Sequence, residues 1–202
     1  RPFHVTYEDT LVQARTVVIA TGVQHKTLGL ESEKRLWSKG VSACATCDGA
    51  FFKGKEVAVV GGGDSAMEEA NFLTRFASGV TVVHRRKDLR ASKIMQERTR
   101  NNPKIAWQLN KVIEEIVGNS KVEGLRLKDT QTGQASHLKV DGLFLAIGHA
   151  PNSALFKPWI TTDKEGFIVA DENTRTNIPG VFACGDVVDH TFRQAITAAG
   201  TG

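Results

Sequence analysis

Two thiols stand two residues apart, at Cys44 and Cys47, and a carboxylate follows at once, at Asp48. A lone C-x-x-C of this kind can clip a metal, staple a turn, or form a disulfide that opens and closes in redox exchange. In the third case an adjacent acid can deliver a proton to a leaving thiolate. The spacing alone leaves all three open. The third cysteine, Cys184, has no near partner in sequence and reads as a small buried hydrophobe.

The stretch behind the cysteines narrows the choice. "EVAVV" (56–60) is an apolar, β-branched run of the kind found in a parallel sheet covered on both faces. It leads directly into Gly61, Gly63 and Ala66, a G-x-G-x-x-A pattern, and then into a helix. Ala66, Ala70, Leu73 and Ala77 recur at helical spacing, and Gly79 is placed to cap the end. The first glycine permits a tight strand-to-helix turn. The second lets backbone approach a pyrophosphate, and the small residue lets helix and strand pack closely. Unpaired N–H groups at the helix start, with the helix dipole, then favour the phosphate charge. A strand before and a helix after make this a dinucleotide fingerprint rather than a bare glycine turn. Gly61, Gly63, Asp64, Ser65 and Ala66 are its candidate contacts.

A second strand, "GVTVVHRRKDLR" (79–90), follows. Its end lies, in such a fold, beside the adenosine ribose. An acid there would accept from the 2′-hydroxyl and favour NADH. This chain instead offers His84, Arg85, Arg86 and Arg90. Guanidinium groups pair with phosphate through parallel hydrogen bonds, which points to NADPH. The same position accounts for the local charge. Residues 84–104 hold eight Lys/Arg against Asp88 and Glu97 alone. Without interleaved aromatics, this cluster argues against a nucleic-acid surface.

These groups need elements to hold them. The chain has 202 residues, 41% hydrophobic and 24% charged, with a net charge of +4. That is ordinary for a globular chain with a real core. No apolar run approaches the roughly 20 residues needed to cross a bilayer. No membrane association is therefore expected, and three cysteines do not make a disulfide framework, so a reducing compartment, the cytoplasm, is expected. "ARTVVIATG" (14–22) reads as a strand running into a loop, and residues 23–43 as a polar connector. Residues 104–147 read as a strand meander, with turns at Gly118–Ser120 and Thr132–Gln134. "LFLAIGHAPN" (143–152) is a buried strand ending at Gly148 and Pro151, and Trp107 reads as core. Near the C-terminus a strand "VFAC" runs into Gly185 and Asp186, and a helix begins near Arg193.

The set "ATG" (20–22), "CATCD" (44–48), "GGGDSA" (61–66), "HRRKDLR" (84–90), "AIGHAPN" (146–152), "ACGDV" (183–187) and "RQAITAAG" (193–200) resembles the low-molecular-weight thioredoxin reductases over essentially the whole chain. The resemblance implies an α/β fold of FAD- and NAD(P)-binding Rossmann-like three-layer domains, the NADPH domain inserted into the FAD domain. Residues 35–155 would form the NADPH domain. Residues 1–34 and 156–202 would be flanks of a partial FAD domain. The family is homodimeric, uses FAD and NADPH, and reduces thioredoxin. Carried over by residue, Cys47 is the flavin-facing sulfur, Cys44 attacks the thioredoxin disulfide, and Asp48 supplies the proton. Gly63 to Ala66 form the pyrophosphate loop, and His84, Arg85, Arg86 and Arg90 the 2′-phosphate clamp. Asp186 holds the ribityl chain, and Arg193, Gln194 and Ala195 lie against the flavin ring.

One departure is large. The family's FAD domain opens with its own glycine fingerprint, and this sequence carries only the NADPH one. The resemblance therefore implies that the first third of the usual chain and a small tail lie outside these residues, and that flavin binding, dimerisation and turnover depend on them. Two other readings follow: an NADPH-binding module without turnover, and the flavoprotein arm of alkyl hydroperoxide reductase, whose NADH preference the arginines oppose. On the opening question, structural zinc needs four ligands and no second pair follows at finger spacing. A static staple gains little from so short a loop. A redox pair ahead of an NADPH fingerprint makes chemical sense, because two electrons from hydride must leave as a dithiol. Hinges between the domains are expected near 23–42 and 150–160.

Overall fold

Five short apolar runs build an all-parallel sheet in the order Val41–Ser42, Gly142–Leu145, Glu56–Val60, Gly79–His84, Ile105–Leu109. The structure is a computed structural model and describes residues 2–202. Side chains alternate across the sheet, so each face acquires its own core. Val57, Val59, Val80 and Val82 pack with Ala66, Met67, Ala70 and Leu73 of the helix Asp64–Leu73. Ala58, Val83, Leu143 and Leu145 pack on the opposite side with Ile113, Ile116, Leu125 and Leu127. Those last four belong to a three-stranded antiparallel sheet of Lys111–Val117, Gly124–Asp129 and Ala135–Leu138. The result is three layers: helix, parallel sheet, antiparallel sheet. Leu73 is fully buried, and Leu73→Ala would cost about 2–5 kcal/mol.

The strand order reverses beside Glu56–Val60. From there the chain moves outward through 79–84 and 105–109, then returns to place 142–145 on the other flank. The carboxyl ends of 56–60 and 142–145 thus form a topological switch point, the place where open α/β sheets bind ligands.

These layers occupy residues 25–148, one of two compact units; among the described residues the other combines 2–24 with 149–202. In that second unit Phe3–Tyr7 and Thr10–Ala14 form a hairpin, and Val17–Ile19 pairs in parallel with Val181–Ala183. Its core is Ile19, Ile160, Ile168, Val181, Ala183 and Val187. Residues 25–34 belong to the larger unit because Leu28 and Leu30 pack into its core. Residues 149–155 fall in the smaller unit, where Asn152 exchanges hydrogen bonds with Thr21 and donates to Gly22 O.

Three sequence expectations need correction. The meander is 111–138 only: Ile105–Leu109 and Gly142–Leu145 are strands of the parallel sheet. The glycine-loop helix ends at Leu73, and Gly79 begins a strand instead of capping it. The polar connector at 23–43 contains a helix, Glu31–Leu36, and the basic stretch contains another, Lys93–Arg100. Trp107 is partly buried against the helical-side core, with Arg100 stacked over its ring at 5.2 Å.

Candidate active site

The cysteines precede the central strand on a single turn of helix, Ala45–Asp48. Cys44 and Cys47 are joined by a disulfide. Cys44 Sγ caps this turn, accepting from the Cys47 backbone N–H at 3.2 Å, and lies 3.3 Å from the Thr46 hydroxyl. Cys44 N–H donates to Ser42 Oγ at 3.0 Å, and Asp48 N–H donates to the Cys44 carbonyl at 3.1 Å. Cys47 is exposed, whereas Cys44 and Asp48 are half-buried. Donors aimed at one sulfur favour its thiolate when the disulfide opens. Cys44 Sγ therefore meets two polar groups of its own turn, and Cys47 is the more exposed of the two residues. Among the described residues no cluster of His, Cys, Asp and Glu could hold a metal ion.

The glycine loop lies at the switch point. Gly61 N–H donates to Val83 O at 3.1 Å. A Cβ on Gly61 would overlap Ala146 O and press on the Ala66 methyl, so the strand 142–145, the loop and the helix meet at a point with no room for a side chain. Ala66 is fully buried there, as its small size requires. Gly62 is equally confined, because a Cβ would overlap the His84 ring. Gly63 differs: a Cβ there would meet nothing within 4 Å. It is the N-cap of Asp64–Leu73 and no side chain caps the helix. Open space at an uncapped helix start suits an anion, and the residues present fit a dinucleotide pyrophosphate. Ser65 is exposed beside it, while the Asp64 carboxylate turns to the next helix: its Oδ1 accepts from Ser92 N–H and Ser92 Oγ, both at 2.8 Å.

The basic turn is held against this loop. Gly62 O accepts from Arg90 N–H at 2.7 Å and from Ala91 N–H at 3.0 Å. Arg85, Arg86 and Arg90 are exposed. His84 is only 8% exposed; its Nε2 lies 3.2 Å from Asp88 O and its ring supports Gly62. Burial pushes the imidazole down, the Asp88 carbonyl pulls it up, and the three arginines push it down further; the outcome is below its ordinary value. His84 is thus a buried prop beneath the loop, adjacent to the exposed guanidinium groups, in surroundings that disfavour its charged form.

The smaller unit carries the other expected contacts. Asp186 sits in the turn Gly185–Val187, and its Oδ1 is buried with no hydrogen-bond partner. A buried carboxylate oxygen left unpaired costs about 1–3 kcal/mol or more, and a ligand hydroxyl would satisfy it. This fits a polyol chain such as that of FAD. Arg193 has φ 50°, in the left-handed region, and Gln194 and Ala195 begin the helix Ala195–Thr201. Asp189, which sequence reasoning missed, organises this segment. Its carboxylate accepts from Thr191, Phe192 and Arg193 N–H groups at 2.7, 2.9 and 3.0 Å. Burial pushes the Asp189 carboxyl up, but those N–H groups and the Thr197 hydroxyl win and hold it below its ordinary value. Cys184 is a free, buried thiol.

Fold and site together define a dinucleotide-binding α/β protein with a paired-cysteine centre. The family model for pyridine nucleotide-disulphide oxidoreductases matches residues 3–202, and the chain belongs to that family. It is 56% identical to a thioredoxin reductase of Streptomyces coelicolor over 194 residues, covering 96% of this chain and 60% of that one. It is 53% identical over 199 residues to a bifunctional thioredoxin reductase/thioredoxin of Mycobacterium leprae, covering 98% of this chain and 43% of the relative. A thioredoxin reductase of Streptococcus pyogenes has a similar structure, with a TM-score of 0.91 at 46% identity, over 98% of this chain and 65% of the other. The chain thus spans less than two thirds of the length of these relatives. No helix among the described residues is long and apolar enough to cross a membrane.

Proposed function

We propose that this chain carries the coenzyme-binding and dithiol parts of an NADPH-dependent thioredoxin reductase. In this reading residues 25–148 bind NADPH and hold the redox pair, and the remainder belongs to an FAD domain. The observation that carries it is the placement of the Cys44–Cys47 disulfide on the same unit as a glycine loop with open space at Gly63. The arginines at 85, 86 and 90 favour the phosphorylated coenzyme. The Mycobacterium leprae relative, named a bifunctional thioredoxin reductase/thioredoxin, favours thioredoxin as the partner.

Bound flavin would supply the relay of two electrons between nicotinamide and disulfide. The chain's own groups do the rest. Two electrons and two protons convert the Cys44–Cys47 disulfide to a dithiol. The Cys47 N–H and the Thr46 hydroxyl hold Cys44 as the nucleophilic thiolate. Asp48, at the end of the same turn, is the proton carrier for a departing sulfur. Cys44 attacks one sulfur of the partner's disulfide and releases the other as a thiol. Cys47 then attacks Cys44, re-forms the internal disulfide and frees the partner's second thiol. Gly63, Ser65 and the N–H groups at the start of the helix hold the pyrophosphate, and Arg85, Arg86 and Arg90 the 2′-phosphate. Asp186, Arg193, Gln194 and Ala195 face the flavin. A homodimer in a reducing compartment such as the cytoplasm completes the reading.

The test is a coupled assay on the intact protein with FAD and oxidised thioredoxin. NADPH consumption that requires thioredoxin, with one pair of new partner thiols per NADPH, is the expected result. NADPH consumption indifferent to thioredoxin would overturn the assignment.

A further inference from the structure

The two phosphate sites come from different connections in the chain. The glycine loop follows the strand 56–60, and the basic turn follows the strand 79–84. Nothing covalent fixes one against the other, yet a coenzyme with both a pyrophosphate and a 2′-phosphate must engage them together. From the geometry we infer that Asp64 and Ser92 form a latch that sets this spacing, and that both are positioning residues for coenzyme selectivity. The inference rests on the NADPH reading above.

Ser92 is the N-cap of Lys93–Arg100, but its side chain does not cap its own helix. Its hydroxyl and its N–H both donate to Asp64 Oδ1, at the first residue of the glycine-loop helix. The starts of two helices are therefore tied by one carboxylate. Just upstream, Gly62 O accepts from Arg90 and Ala91 N–H groups. The basic turn is held at its far end by the loop carbonyl and the Asp64 carboxylate, and at its near end by His84 beneath Gly62. The latch also occupies the one acidic group at the start of the phosphate-binding helix. A free carboxylate there would repel the ligand. Charge-assisted bonds to a carboxylate are the stronger kind, although exposure weakens these.

Two sites held at fixed separation bind a two-headed ligand by effective concentration. Loosening the latch should therefore harm a ligand that spans both sites and spare one that uses a single site. The experiment is calorimetric titration of the full chain with NADP+, NAD+ and 2′-AMP, for wild type, Ser92→Ala and Ser92→Thr. Losing one hydroxyl–carboxylate bond should weaken NADP+ about five- to tenfold, with NAD+ and 2′-AMP held within about twofold. Ser92→Thr keeps the hydroxyl and should restore NADP+ binding. Equal weakening of all three ligands, or none, overturns the latch. A wild-type chain with no preference for NADP+ over NAD+ overturns the coenzyme reading itself, a separate result.

Discussion

Gly61 and Gly63 stand two residues apart in one loop, yet alanine should act on them in opposite ways. At Gly61 the new methyl would overlap Ala146 O and crowd Ala66, and φ is 157°. Backbone on one side and a buried helix on the other leave little room to relax. Overpacking of this kind costs about 1–3 kcal/mol, and the unfavourable φ adds about 1–3 kcal/mol. A total of about 3 kcal/mol should lower the melting temperature by about 10 °C for a unit of this size. At Gly63 φ is −98° and ψ −179°, which any residue adopts, and the methyl meets nothing. Gly63→Ala should leave the melting temperature nearly unchanged, since alanine restricts the unfolded chain by about 0.4–1 kcal/mol but is the poorer N-cap by a similar amount. The space it fills is the space proposed for the pyrophosphate, so NADP+ affinity should fall at least about tenfold. Thermal melts by circular dichroism and calorimetric titration read the two effects separately. Gly63→Ala that binds NADP+ like wild type would refute the cradle. A neutral Gly61→Ala would refute the packing argument at the switch point.

Cys47→Ser should accumulate a mixed disulfide between Cys44 and oxidised thioredoxin after chemical reduction, visible on a non-reducing gel, whereas Cys44→Ser should trap none; the reverse pattern would exchange the two sulfur roles. Replacing Arg85 and Arg86 with Gln should weaken NADP+ about tenfold or more, through lost charge-assisted bonds, and leave NAD+ little changed; calorimetry with both coenzymes decides, and equal losses would remove the clamp. His84 gives a pH signature. Its folded value lies below the unfolded one of about 6.5, so the unfolded chain binds more protons in that window. The stability it contributes is fully present above about pH 6.5 and is lost as pH falls through the folded value. Melting temperature should drop more steeply between pH 7 and 5 for wild type than for His84→Asn, and parallel curves would show the imidazole is not held neutral.

The glycine fingerprint was legible because its signals are local. A β-branched run, glycines at fixed spacing and a helical repeat all lie within residues 56–73 and agree with one another. The strand 105–109 was misplaced because it is the sheet's edge: Ile105 is buried, while Ala106 to Leu109 are exposed or half-buried, and the run lacks the continuous apolar look of 56–60. The helix Lys93–Arg100 hid behind its charges, since Thr99 is its one buried residue. The six-residue helix Glu31–Leu36 is too short for a repeat; the Glu33 carboxylate holds its start, accepting from the Leu28 and Gly29 N–H groups at 2.9 and 3.0 Å. Asp64 and Ser92 meet across 28 residues, and no local pattern marks such a pair; Asp189 instead binds N–H groups two to four residues on, a local Asx pattern common to many turns. His84 looked like one more cation of the basic turn. Its place as the last residue of the strand, paired with Leu109 and packed under Gly62, shows it as a buried prop.

The central claim is that electrons from NADPH open the bond between Cys44 and Cys47. The direct measurement is mass spectrometry of the intact protein, loaded with FAD, reduced anaerobically with NADPH and quenched with an alkylating reagent. Alkylation of both Cys44 and Cys47 in proportion to NADPH consumed, with Cys184 unchanged, is the predicted result. Oxidised NADPH with Cys44 and Cys47 still joined would contradict the account.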